Sequence, residues 1–75
     1  MTKNDRREID TARQLVAHGM HDVAARTLAT LHRSTRSNDV RETAVELAYE
    51  LGLENRVTFV DSFGMYIMVH VDDAN

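Results

Sequence analysis

Cysteine is absent from this 75-residue chain, and glycine, aromatic residues and long apolar runs are scarce. Without cysteine the fold has no disulfide framework and no thiolate metal ligand, which suits a reducing compartment. No apolar run approaches the roughly 18 residues that a membrane helix needs, and residues 1–5 lack the hydrophobic stretch of a signal peptide. We therefore expect one small cytoplasmic domain, whose core is limited by the length of the chain.

The residues that usually carry chemistry do not form a recognisable set. The three glycines are dispersed, so the chain has no phosphate-cradling loop, and no serine or threonine lies in a glycine-flanked elbow. The spacing of the four histidines secures no convergent group of zinc ligands. These histidines are His18, His21, His32 and His70. The sequence predicts neither an enzyme nor a cofactor nor a metal site.

Charge is divided unevenly along the chain. Residues 1–38 carry a net charge of +3 and residues 39–75 carry −6, which together give the overall −3. Such asymmetry can orient a partner, and it can equally hold the two halves of the domain together.

The clearest helix signals lie between residues 38 and 51. An apolar residue recurs at helical spacing, and Asn38 or Asp39 is placed to cap the first turn, with Glu42 completing a capping box if Asp39 is the cap. Gly52 is placed to end the helix. The apolar stripe consists of Val40, Ala44, Leu47, Ala48 and Leu51.

Two earlier segments show the same period. A first helix is predicted over about 5–18, capped by Asp5 with Glu8 and ended by Gly19. A second helix is predicted over about 22–33. The connection between them is so short that the pair should form an antiparallel helical hairpin.

After Gly52 the apolar period changes from 3.6 to 2. Strands are predicted over about 56–60 and 65–71, joined by a turn at 61–64, and residues 72–75 form a polar tail that should fray. The predicted fold class is therefore α+β, with three N-terminal helices followed by a C-terminal β-hairpin.

Two surfaces are candidates for binding a protein partner. Glu42, Glu46 and Glu50 recur every four residues, so they line one side of the third helix, either as a solvated face or as a docking face for a basic partner. The second candidate is the outer side of the hairpin, where an apolar patch would be exposed. In the alternative, the side chains of this patch pack on the helices. The residues of the patch are Phe63, Tyr66 and Met68.

These features favour a small non-enzymatic interaction module that regulates or inhibits a larger protein with a basic surface. Small inhibitors and adaptors carried by phages or other mobile elements have this size and also lack catalytic motifs, and we hypothesise such an origin by analogy. The open edges of a two-stranded hairpin also suggest a homodimer.

The alternative interpretation is a winged-helix-like DNA-binding transcriptional regulator, because three helices followed by a β-hairpin is the order of such domains. Arg33, Arg36 and Arg41 would then contact an anion or nucleic acid. In the alternative explanation, these arginines only keep an exposed loop solvated, and Arg41 pairs with neighbouring acids. The acidic third helix has the wrong charge for a polyanion, so we expect no nucleic-acid partner.

Overall fold

Three helices make up most of the part of the chain that the computed structural model describes, which is residues 1–57, 59–60 and 66–68. The helices are α1 (Lys3–Ala17), α2 (His21–Ser34) and α3 (Asn38–Glu50). Two very short strands, β1 (Phe59–Val60) and β2 (Tyr66–Met68), pair antiparallel with an irregular register.

Hydroxyl side chains start two of the helices. The Thr2 hydroxyl accepts a hydrogen bond from the Asp5 backbone N–H, and the Asp5 carboxylate accepts one from the Thr2 N–H, each at 3.1 Å. This capping box lies one turn before the predicted pair of Asp5 and Glu8. The hydroxyl of Ser37 caps α3 by accepting from the Val40 N–H at 3.3 Å. Asn38 and Asp39, the predicted caps, are the first two residues of the helix.

Two glycines end α1 and α3 in the left-handed conformation, with φ of 79° at Gly19 and 72° at Gly52. After each glycine the next backbone N–H reaches back to the helix: Met20 to the Leu15 carbonyl at 2.8 Å and Leu53 to the Ala48 carbonyl at 2.7 Å. This is the Schellman geometry. Leu53 is fully buried, so the end of α3 turns the chain back onto the core.

The central element is α2, which packs against α1, α3 and β1. The third helix has the clearest signals in the sequence, yet it lies at one side of α2. A continuous apolar core joins these elements and is completed by three residues that follow α3. Its buried residues are Ile9, Ala12, Ala24, Ala25, Leu28, Leu31, Val40, Ala44, Leu47, Ala48, Leu53, Val57 and Phe59.

The predicted α+β class is wrong, because the described chain is a three-helix bundle. The helices contain 15, 14 and 13 residues, whereas the strands contain two and three, so extended backbone forms no sheet layer of its own. The alternation in 56–60 has a different cause. Val57 and Phe59 are both buried in the core of the helices, and any extended segment that lies against a core places alternate side chains inward.

Several expectations for the C-terminus lie outside the described residues. These are the turn at 61–64, the tail at 72–75 and most of the strand at 65–71. The homodimer, which was expected from the hairpin edges, stays a prediction. No helix in the described ranges is long and apolar enough to cross a membrane.

Candidate acidic interface

A row of carboxylates lies on the side of α3 that faces away from the core. Residues spaced by three and four positions share one side of a helix, and here that side lies opposite the buried residues of α3. The row extends over about 16 Å at 1.5 Å per residue. We call it the acidic face. Its residues are Asp39, Glu42, Glu46 and Glu50, and all four are exposed.

Only one of these carboxylates has a cationic partner among the described residues. Arg13 of α1 lies 3.1 Å from Glu50, and both side chains are more than half exposed. An exposed pair of this kind contributes little stability, on the order of 0–1 kcal/mol. Asp39, Glu42 and Glu46 make no ion pair within the part of the chain that the structure describes. Three unneutralised carboxylates are therefore presented together.

Tyr49 is the functional candidate that sequence reasoning missed. It is 57% exposed, like few other large hydrophobic residues of the described ranges. Tyr49 follows Glu42 by seven positions and Glu46 by three, so it lies beside the carboxylates on the acidic face. That spacing was readable in the sequence. Tyrosine is enriched among the residues that dominate protein interfaces, since a rigid ring offers large contact area and a polar tip.

Part of the predicted anion site is engaged in hydrogen bonds within the chain, and anion binding by these arginines stays a prediction. The Arg41 guanidinium donates to the Asn38 side-chain oxygen at 2.7 Å and to the Thr35 carbonyl at 3.0 Å. The hydroxyls are engaged as well, because Ser37 caps α3 and the Thr35 hydroxyl accepts from the Ser37 N–H at 3.1 Å. These groups therefore stabilise the connection between α2 and α3. Arg33 and Arg36 are exposed.

The hairpin candidates are described only in part. Phe63 lies outside the described residues, and Tyr66 and Met68 are the first and last residues of β2. Their role in partner binding stays a prediction.

The three histidines of the described ranges differ in burial. His32 is almost completely buried, and its ring lies against that of Phe59, whereas His18 is exposed and His21 half-buried. Across the described ranges, no three or more histidine, aspartate or glutamate side chains are grouped so that they could hold a metal ion.

No family model, curated protein or solved structure matches this chain.

Proposed function

We propose that this chain is a small non-enzymatic binding module that regulates or inhibits a larger protein, and that a basic surface of that protein docks on the acidic face. The observation that carries the proposal is the set of carboxylates Asp39, Glu42 and Glu46, which have no ion-pair partner among the described residues, with Tyr49 exposed beside them. Like charges one turn apart cost an isolated helix about 0.2–0.5 kcal/mol per pair. A basic partner would remove that repulsion.

The acidic face is well placed for recognition because its helix is rigidly supported. Val40, Ala44 and Ala48 are fully buried against the rest of the domain, so the backbone beneath the carboxylates does not need to be ordered on binding. Complementary charge would accelerate the encounter and orient the partner. Tyr49 would supply the apolar contact that charge alone does not give.

The experiment that tests this proposal is capture of a partner by immobilised full-length chain from a lysate of the cells that encode it. The Glu46→Lys/Glu50→Lys variant reverses half of the acidic face, and Glu8→Lys/Asp10→Lys on α1 makes the same change in net charge elsewhere. We expect a partner with a basic surface that elutes with salt, is lost with the α3 variant and is retained by the α1 control.

Two results would contradict the proposal. The first is undiminished capture by the α3 variant, and the second is an equal loss with both variants, since that would report net charge alone. Circular dichroism of each variant must show the helical spectrum of the parent, so that loss of binding is not loss of fold.

A further inference from the structure

A cleft with a volume of about 230 Å³ opens beside the acidic face, where the end of α2 meets the first half of α3. Its wall is largely apolar, although most of the residues around it are charged. We call it the α2/α3 cleft. It is lined by His32, Arg41, Glu42, Val45 and Glu46.

The inner part of the cleft is built from core side chains. His32 is only 1% exposed and packs against the Phe59 ring, with 4.9 Å between the ring centroids. Val45 is partly buried and packs on the same core. The cleft therefore has a firm inner wall that a ligand would meet without first ordering it.

The rim of the cleft has negative charge to offer. Glu42 and Glu46 are exposed, and neither makes an ion pair with another described residue. Arg41 also lines the cleft, but its guanidinium is hydrogen-bonded to the Thr35 carbonyl and the Asn38 side chain. Both acceptors are neutral, so Arg41 keeps its positive charge, and the three charged residues of the rim sum to −1. The guanidinium of Arg41 is held at the loop, and the two carboxylates remain for an external donor.

An apolar wall below two carboxylates suits a side chain with an apolar stem and a cationic head. Arginine buries its methylenes along apolar surface while its planar guanidinium reaches carboxylates in a paired geometry. Tyr49 is not one of the lining residues, but it is exposed and lies one helical turn after Val45, so its ring is within reach of a guanidinium bound at the rim. The volume lies below the roughly 300–1,000 Å³ of small-molecule pockets, which fits one side chain better than a cofactor.

We propose that the α2/α3 cleft is an arginine-binding site, which receives one arginine side chain from a basic segment of the partner. This inference rests on the proposed function and specifies the feature that the partner must present. Glu42 and Glu46 hold the guanidinium, Val45 and the His32 side of the cleft contact the methylenes, and Tyr49 covers the head group.

The test uses the full chain and a fluorescein-labelled octapeptide in which arginine alternates with alanine, titrated by anisotropy at about 50 mM salt so that screening is limited. Matched peptides carry lysine or the uncharged isostere citrulline in place of arginine. Val45→Phe fills the cleft without changing charge. Glu42→Gln/Glu46→Gln removes the rim charges, and Asp39→Asn/Glu50→Gln removes the same charge outside the cleft.

We expect Val45→Phe and the rim variant each to weaken arginine-peptide binding by about tenfold or more, and the outer variant by less than about threefold. The lysine peptide should bind more weakly than the arginine peptide, because an ammonium offers no planar fork, and the citrulline peptide should not bind. Amide NMR shifts of the parent chain should centre on His32, Val45 and Tyr49, which locates the site without any variant.

Equal effects of the rim and outer variants, with parent-like binding by Val45→Phe, would overturn the proposal that the cleft binds arginine. The acidic face would then remain as a general docking surface. Equal affinity for the arginine and lysine peptides would also overturn the proposal. If no peptide binds the parent at about millimolar concentration, a range in which single-site contacts are measurable, the arginine site is wrong. Partner capture then decides the docking proposal separately.

Discussion

His32 and Phe59 pack ring against ring, with centroids 4.9 Å apart and ring planes inclined by 51°. Each side chain is 1% exposed. The contact joins the last turn of α2 to the segment that follows α3, so it fixes the C-terminal part of the described chain to the helices. Tilted aromatic pairs at this distance stabilise by about 0.5–1.5 kcal/mol beyond the burial of their area.

Removing the Phe59 ring should have a large effect on stability. Phe59→Ala deletes the largest side chain that is fully buried among the described residues, and such changes cost about 3–5 kcal/mol. A chain of this length has a free energy of unfolding of roughly 4–11 kcal/mol, so the variant should lose a large part of its stability and unfold at a clearly lower urea concentration than the parent. Urea unfolding followed by circular dichroism measures the effect, with Phe59→Leu as the milder control. A loss below about 1 kcal/mol would show that the ring is not needed by the helical core.

Gly52 should be required for its backbone conformation and not for space. Its φ is +72°, and a β-carbon added there would meet no atom within 4 Å. Gly52→Ala should therefore cost about 1–2 kcal/mol, the penalty of the left-handed conformation for a residue with a β-carbon. Gly52→Asn should cost less, because asparagine adopts this conformation more readily. Thermal unfolding of the two variants compares them directly, and equal stabilities for Gly52→Ala and the parent would contradict this explanation.

Ser37 should be the residue that stabilises the start of α3. Ser37→Ala removes the hydroxyl that accepts from the Val40 N–H and should cost about 1 kcal/mol. Asp39, one of the two caps that the sequence suggested, acts on the helix through its dipole, so Asp39→Ala should cost a few tenths of a kcal/mol. The urea concentrations at which Ser37→Ala and Asp39→Ala are half unfolded measure the difference in stability. A larger loss for Asp39→Ala than for Ser37→Ala would restore Asp39 as the cap.

The features that the sequence revealed are those that depend on nearby residues. The stripe from Val40 to Ala48 is buried, Gly19 and Gly52 end helices, and Glu42, Glu46 and Glu50 are exposed, because each depends on spacing within a turn or two of helix. The choice of caps was less certain, since several polar residues stand at each helix start. Thr2 and Ser37 are the caps because each lies directly before the first helical residue.

The features that the sequence did not reveal depend on packing between distant residues. Alternation at Val57 and Phe59 suggested a sheet, whereas their partners are residues of α2 and the rest of the helical core. The α2/α3 cleft brings His32 next to Val45, thirteen positions along the chain, and no local pattern relates them. Tyr49 had a local signal in its spacing from the glutamates, but its exposure became evident only from the fold.

The last prediction concerns duplex DNA. In a winged-helix-like interpretation α3 would enter the major groove, yet the outer side of α3 presents Asp39, Glu42, Glu46 and Glu50. Phosphate neutralisation supplies most non-specific affinity, and a protein with six to ten phosphate contacts loses about 10³–10⁵ in affinity between about 50 and 200 mM salt.

Of the three candidate arginines, Arg41 is held by Thr35 and Asn38, which leaves Arg33 and Arg36 exposed beside an acidic helix. We therefore expect no appreciable binding of a random-sequence duplex at about 150 mM salt by fluorescence anisotropy. Arg36→Ala is the informative variant, because Arg41→Ala would also disturb the connection between α2 and α3. Submicromolar binding by the parent that Arg36→Ala weakens would overturn the proposed docking of a basic protein in favour of DNA recognition.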